Sequence, residues 1–192
     1  LSLARLNQIE SVDPDRWTIT AQAGVTIEAV QNAAKAVNRV FAPDWGARGT
    51  ASVGGGIATD AGGNNVVRYG NMRDNVMGIE AVLADGTIWD GRRALVKDSS
   101  GYDLKHLFIG GEGTLGIVTS AVLKLRPATP YETSLLAAIT GLDALAPLLD
   151  LAQQHAPGTV TAFELMPLVA IDRVIDVFNV VKPLDTDTEY FA

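Results

Sequence analysis

The chain has 192 residues, a formal net charge of −7, 47% hydrophobic and 19% charged residues, no cysteine and two histidines. That composition excludes a disordered chain, a disulfide scaffold and a Cys-ligated metal site, and its acidity weighs against nucleic acid as a partner. No apolar run reaches the roughly 18–20 residues that span a bilayer, and no basic-then-apolar signal sequence opens the chain.

The opening LSLARLN reads as the inside of a strand, and with Leu in first place a partial chain is expected. RWTITAQA alternates Trp17, Ile19, Ala21 and Ala23 on one face, which predicts a half-buried strand. Ile27, Val30, Ala34, Val37 and Phe41 recur at helical spacing after Thr26, a good N-cap, with Glu28 in the first turn and Pro43 closing the region. A glycine-rich stretch runs from Thr50 to about Gly70. MGIEAVLADGTIWDG then predicts a hairpin turning at Asp85-Gly86, a pair that tolerates positive φ. SSGYDLKHLFIG reads as a loop and a short helix, and TLGIVTSAVLKLRPATP as a long strand ended by Pro127 and Pro130.

Beyond those prolines the pattern changes. TSLLAAI and TVTAFEL read as strands, GLDALAPLLDLAQQHAPG as a helix capped by Asp143, and PLVAIDRVIDVF as a helix with Pro167 at its start. This β-α-β-α run predicts the first part of a second α+β domain, with residues 1–130 and 131–192 as the two divisions.

The chemistry rests on TASVGGGIATDAGGNN. A dinucleotide fingerprint needs a third glycine where Thr59 stands, and the preceding GARGTAS is a poor strand, so the usual nicotinamide site is disfavoured; no P-loop motif exists. Structural turn and ligand loop remain equally open, because glycines beside small hydroxyl residues permit close backbone approach and leave N–H groups for an anion. A second cluster, IGGEGTLGIVT, brings Gly110, Gly111, Gly113 and Gly116 into a strand, and the pair of clusters reads as two walls of one extended site. The segment 46–105 is charge-balanced while the rest carries the acidic excess, slight support for an anionic ligand there.

PDWGARGTASVGGGIATDAGGNNVVRYGNMRDNVMGIEAVLADGTI followed by KDSSGYDLKHLFIGGEGTLGIVTSAVLKLRP resembles the FAD-linked oxidase family with the vanillyl-alcohol-oxidase (PCMH) type of flavin domain, in particular its D-2-hydroxy-acid dehydrogenases. The resemblance covers roughly Leu1 to Pro127; FELMP and its surroundings resemble, more weakly, the opening of that family's substrate domain. It implies an α+β fold: a PCMH-type FAD-binding domain lacking its N-terminal part, then the start of a ferredoxin-like α+β substrate domain. It also implies non-covalent FAD. Pro43, Ser52, Val53, Gly54 and Gly55 would serve the flavin and pyrophosphate, with Ile57, Thr59, Asp60, Gly62, Gly63, Tyr69 and Gly70 continuing that wall near the isoalloxazine. Glu112, Gly113 and Ile117 would lie along the AMP half.

The implied reaction is oxidation of a D-2-hydroxy acid such as D-lactate, glycolate or D-2-hydroxyglutarate to the 2-keto acid. A hydride passes to flavin N5, and the electrons leave to a quinone or an electron-transfer protein. A non-catalytic flavin-binding or assembly subunit and an FAD oxidase of another alcohol are the alternatives. The family's usual Asn is replaced by Asp60, which offers no amide donor and is expected to pair with Arg68 or Arg73. The family's earlier pyrophosphate loop is expected before Leu1, and its substrate-contacting residues and metal ligands beyond Ala192, so no catalytic or metal-ligating residue is assigned within this chain. A homo-oligomer or a partner chain would complete the site. The expected location is cytoplasmic, peripheral to a membrane if quinone is the acceptor. Lys97, Tyr102, Asp103, His106 and His155 read as supporting rather than catalytic residues, with Tyr102 and Asp103 fixing a turn and capping the short helix.

Overall fold

Alternation of buried and exposed side chains builds the first of two units, Leu1–Thr129 and Pro130–Ala192, in a computed structural model that describes residues 1–186 and 188–192. Strand β1 (Ile9–Asp13) pairs antiparallel with β2 (Thr18–Gln22), where Ile19 and Ala21 are fully buried. Helix α1 (Ile27–Ala36) follows, and the Thr26 hydroxyl accepts from the Ala29 N–H at 3.2 Å while Glu28 lies in its first turn. Then come β3 (Arg39–Val40), α2 (Val53–Ala58), α3 (Val66–Tyr69), α4 (Met72–Asn75), β4 (Val76–Val82), β5 (Ile88–Asp90), α5 (Lys105–Phe108), β6 (Ile117–Lys124) and β7 (Arg126–Pro127). The main sheet has the order β1-β2-β6-β4-β5, every pair antiparallel, and β3 pairs with β7 in a separate ribbon.

One face of the sheet carries Ile19, Ala21, Ile79, Ala121 and Leu123 against Ile27 and Val30 of α1, Val53 and Ile57 of α2 and Met72 of α4. The first turns of the two helices lie side by side: Thr26 and Ser52 form an antiparallel bridge, the Val53 N–H donates to Val25 O, and the Gly54 N–H donates to Ala23 O. Gly54 approaches so closely that an added Cβ would lie 2.7 Å from the Ala23 Cβ.

The other face is polar. Segment 91–93 folds back over Gly78, where an added Cβ would meet the backbone of all three residues. This fold-back brings the Arg92 guanidinium to Asp90 (2.8 Å), Glu80 (3.0 Å) and Glu10 (3.4 Å), tying β5, β4 and β1 together. The Asp85-Gly86 turn forms as expected, with Gly86 at φ +85° and Asp85 Oδ1 accepting from the Thr87 N–H.

Three expectations for this unit change. Leu1–Asn7 is not a strand; its backbone instead meets Gly24, whose N–H donates to Leu6 O. Trp17 does not share the buried face of β2: it sits before the strand at φ +59°, 41% exposed, with the Arg39 guanidinium 5.1 Å from its ring centroid. Helix α1 stops at Ala36 because Asn38 adopts φ +56°, so Phe41 is buried from the extended segment beyond it rather than from the helix.

The second unit contains β8 (Ala138–Ile139), a 3-10 turn (Leu142–Ala144), α6 (Leu145–His155), β9 (Met166–Pro167), α7 (Leu168–Phe178) and β10 (Tyr190–Phe191), in an antiparallel sheet ordered β8-β10-β9. Ile139, Ile171 and Phe191 are its buried apolar residues. The strand expected across TSLLAAI contracts to its last two residues, and TVTAFEL is not a strand, pairing beginning only at Met166. Asp143 lies inside the 3-10 turn and caps no helix.

Replacing Gly54 with Ala forces a methyl into the Ala23 contact and is expected to destabilise the protein by about 1–3 kcal/mol. Urea unfolding measures this, and an unchanged midpoint would contradict the packing. The hydrogen bonds from Arg92 hold the Asp90 carboxyl down at about 2, against about 3.9 for a free Asp. A folded-state value below the unfolded one stabilises the fold above the unfolded value, and that contribution disappears as pH falls through about 2. Carboxyl NMR should find the Asp90 midpoint near 2, moving up into the ordinary range in R92M; a wild-type midpoint already in that range contradicts the bridge.

Candidate flavin-binding wall

The glycine-rich stretch folds into α2 because Ser52 caps it, its Oγ accepting from the Gly55 N–H at 3.1 Å, and because Val53 and Ile57 bury completely in the core. A six-residue helix with three glycines has poor intrinsic propensity, so packing holds it. Its C-terminal carbonyls would be left without intrahelical partners. They are taken by the second glycine cluster: the Gly110 N–H donates to Ile57 O at 3.0 Å and the Glu112 N–H to Ala58 O at 2.9 Å. The two clusters, distant in sequence, therefore meet backbone to backbone. The junction has an unusual conformation, with Asp60 at φ +48°, Gly110 at +77°, Glu112 at +49° and Gly113 at +79°.

Asp60 is the hinge of this junction. Its Oδ1 accepts from the Arg73 backbone N–H at 2.9 Å and its Oδ2 from Arg73 Nε at 3.1 Å. The same guanidinium donates to His106 O at 2.9 Å and to Ile109 O, and lies 3.2 Å from His106 Nδ1. Arg73 is the partner of Asp60, whereas Arg68 lies over the Tyr69 ring at 4.9 Å, with Arg126 near the same ring at 5.7 Å. Burial, with the neighbouring Arg126 charge adding to it, lowers the pKa of Lys124 on β6.

Each residue nominated from the sequence can now be placed. Pro43 is buried; its carbonyl accepts from Gln31 Nε2 at 2.9 Å, and its neighbours Ala42 and Asp44 accept from Asn65 Nδ2 and the Asn64 N–H. Ser52, Val53 and Gly54 serve the cap and the core, and the N–H groups of Val53, Gly54 and Gly55 are all bonded within the protein. The expectation that these glycine N–H groups stand free for an anion is thus corrected. Among the described residues, the unpartnered N–H groups of the wall include those of Ser52, Gly62, Gly63 and Gly113.

Gly55, Thr59, Gly63, Glu112 and Gly113 are exposed, and Asp60, Gly62, Tyr69, Gly70 and Ile117 are half-buried. The Met72 N–H donates to Ala61 O, and an added Cβ on Gly62 would come within 3.2 Å of Asn71 Oδ1, so the segment after Tyr69-Gly70 joins the same wall. Gly63 is at φ +135° against the Asp44 carbonyl, a position only glycine fills comfortably. The structure thus gathers Asp60, Gly62, Gly63, Glu112 and Gly113 around the α2 C-terminus, while Val53 and Ile57 face inward.

Arg73, Gln31 and Asn65 carry the wall's supporting contacts and were not nominated as ligand-binding residues. The signal for Arg73 lay in the unusual Asp60 alone. Asp103 does not cap α5; it bridges to Lys105 and to His106, and Tyr102 stands 94% exposed. A cleft of about 400 Å³ lies elsewhere in this unit, lined by Met77, Trp89, Leu95, Tyr102 and Lys105 among others, and includes no nominated residue. It is open and lined largely by exposed side chains, whereas the wall offers unpaired backbone donors, the chemistry a pyrophosphate needs. On that observation the residues present fit an extended dinucleotide. Among the described residues no cluster could hold a metal ion, and no helix is long and apolar enough to cross a membrane.

Residues 1–92 match the FAD binding domain family. Over 175 residues the chain is 43% identical to a D-2-hydroxyglutarate dehydrogenase of Xanthomonas citri pv. viticola, which covers 91% of this chain and 37% of that protein. It is 33% identical over 193 residues to a D-2-hydroxyglutarate–pyruvate transhydrogenase of Saccharomyces cerevisiae, over 100% of this chain and 39% of the relative. A solved structure of alkyldihydroxyacetonephosphate synthase superposes with a TM-score of 0.64 at 21% identity, covering 79% of this chain and 27% of that one, and shares the fold. The chain spans less than half the length of the curated relatives it matches. The matched domain, the shared fold and these relatives together make the chain similar to the FAD-linked oxidases, with residues 1–92 matching an FAD-binding domain and the fold that of the PCMH type.

Proposed function

We propose that this chain forms part of an FAD-dependent dehydrogenase that oxidises a D-2-hydroxy acid to the 2-keto acid. The observation that carries the reading is the backbone junction between α2 and Gly110–Glu112, with unpaired donors at Gly62, Gly63 and Gly113 around it. Its support in substrate class is that relatives spanning 91% and 100% of the chain bear D-2-hydroxyglutarate in their names. Bound FAD supplies the hydride acceptor.

In this reading the chain's own residues bind and orient. The N–H groups of Gly62, Gly63 and Gly113 hold the dinucleotide's polar groups, and Pro43, Ser52, Val53, Gly54, Gly55, Ile57 and Thr59 shape the wall behind them, the inward side chains acting through the backbone they fix. Asp60, Tyr69 and Gly70 border the flavin end, and Glu112 and Ile117 the AMP end. Preorganised backbone donors suit this work because they need no reorientation when the ligand arrives. The second unit contributes to a substrate domain. FAD is held non-covalently, through the unpaired backbone N–H groups of the wall. The electron acceptor is a quinone or an electron-transfer protein, and the protein works in the cytoplasm or at a membrane surface.

FAD titrated into the purified protein is expected to show saturable quenching of flavin fluorescence. Placing a β-branched side chain at exposed Gly113 (φ +79°) should weaken binding by about tenfold or more, roughly 1.4 kcal/mol. Equal affinity in G113V would remove the wall from the site. With the segments that flank this chain added and FAD loaded, reduction of an artificial electron acceptor by D-2-hydroxyglutarate, D-lactate or glycolate tests the chemistry. Tight FAD binding with no turnover of any of the three would leave a flavin-binding protein and sink the dehydrogenase.

A further inference from the structure

Arg73 spends its donors on two separate segments, the Asp60 turn and α5 with its end. Its backbone N–H and Nε both reach the Asp60 carboxylate, Nη1 reaches His106 O, and Nη2 reaches Ile109 O at the end of α5. A guanidinium presents its donors in a fixed planar fork, so this set of acceptors specifies one mutual placement of the Asp60 turn, α4 and the α5 end. The position an added Cβ would take on Gly110 lies 3.3 Å from Arg73 Nη2 and 3.4 Å from Asp60 Cβ, so the ion pair lies directly against the junction of the two glycine clusters. Its side chains are only partly exposed, 36% for Arg73 and 22% for Asp60, which limits solvent screening of their charges.

We propose that the Asp60–Arg73 pair is the positioning and charge-setting element of the flavin wall. Arg73 locks the two clusters into one surface, and the balance between its charge and that of Asp60 sets the electrostatic potential at the flavin end. The inference rests on the reading that FAD lies along this wall, and it goes beyond that reading by assigning the pair a role in the electron affinity of the bound flavin. Asp60 brings a negative charge beside a group that gains electrons; Arg73 offsets it at 3.1 Å. Removing either partner leaves the other uncompensated, with opposite effects on flavin reduction.

The test is the midpoint potential and the FAD dissociation constant of three variants, D60N, R73M and R73K, each with a thermal melt of the FAD-free protein. D60N leaves Arg73 unbalanced but keeps one carbonyl acceptor for it, so its potential should rise while affinity falls less than in R73M. R73M leaves Asp60 unbalanced, so its potential should fall and FAD binding weaken by about tenfold or more, roughly 1.4 kcal/mol. R73K keeps the charge and loses the fork, so its potential should stay near wild type while affinity drops; it also stands in if R73M does not fold. A merely structural pair would give weaker binding with no opposed shifts in potential, and that result overturns the proposal. If D60N and R73K bind FAD with unchanged affinity and potential while G113V binds poorly, the pair has no role although the wall stands. If G113V also binds normally, or wild type takes up no FAD, the reading of the wall falls and the proposal with it.

Discussion

The candidate site depends on two hydrogen bonds, from Gly110 N–H to Ile57 O and from Glu112 N–H to Ala58 O. A helix end leaves carbonyls without partners, and a buried end without substitutes is costly. Here the substitutes come from a loop that follows α5, so the end of α2 and the entry to β6 are fixed relative to each other. The loop can only deliver those N–H groups by turning through left-handed backbone at Gly110, Glu112 and Gly113. Glu112 bears that conformation without a glycine's freedom, at a cost the junction must offset.

The glycines of this wall do two different kinds of work. Gly54 and Gly63 are demanded by packing: one faces the Ala23 side chain and the other the Asp44 carbonyl. Gly113 is exposed and leaves its backbone N–H open to a ligand, whereas Gly55, also exposed, keeps its N–H on Ser52 Oγ. A glycine motif read from the sequence merges these two demands, which is why Val53–Gly55 looked like a free anion cradle when its N–H groups are bonded internally. Free donors lie further along, where the chain leaves α2 and where it enters β6.

Elements governed by local rules were legible before the structure. The Thr26 cap and apolar spacing define α1, and Asp85-Gly86 defines the hairpin, because each depends on residues a few positions apart. The fold family was legible from the order and spacing of several motifs together. Helix α2 was hidden by its three glycines, since its stability comes from Ser52 and from burial of Val53 and Ile57 rather than from propensity. Trp17 continued the alternation of β2 on paper, but the turn before the strand puts it at positive φ and out of the core. Of the contacts of Arg73, the pair with Asp60 was expected as one of two choices, but those with His106 and Ile109 could not be read, because they join segments that meet only in the folded chain. In the second unit, TSLLAAI and TVTAFEL carry strand-like composition, but extended pairing there depends on where β10 returns.

The most direct measurement of the central claim is amide hydrogen exchange, resolved by residue, with and without FAD. The account predicts new protection at Gly62, Gly63 and Gly113, whose N–H groups are unpaired, and little change at Val53, Gly54 and Gly55, already bonded within the protein. Protection confined to the cleft around Trp89 and Tyr102, with Gly62, Gly63 and Gly113 exchanging as before, would contradict it.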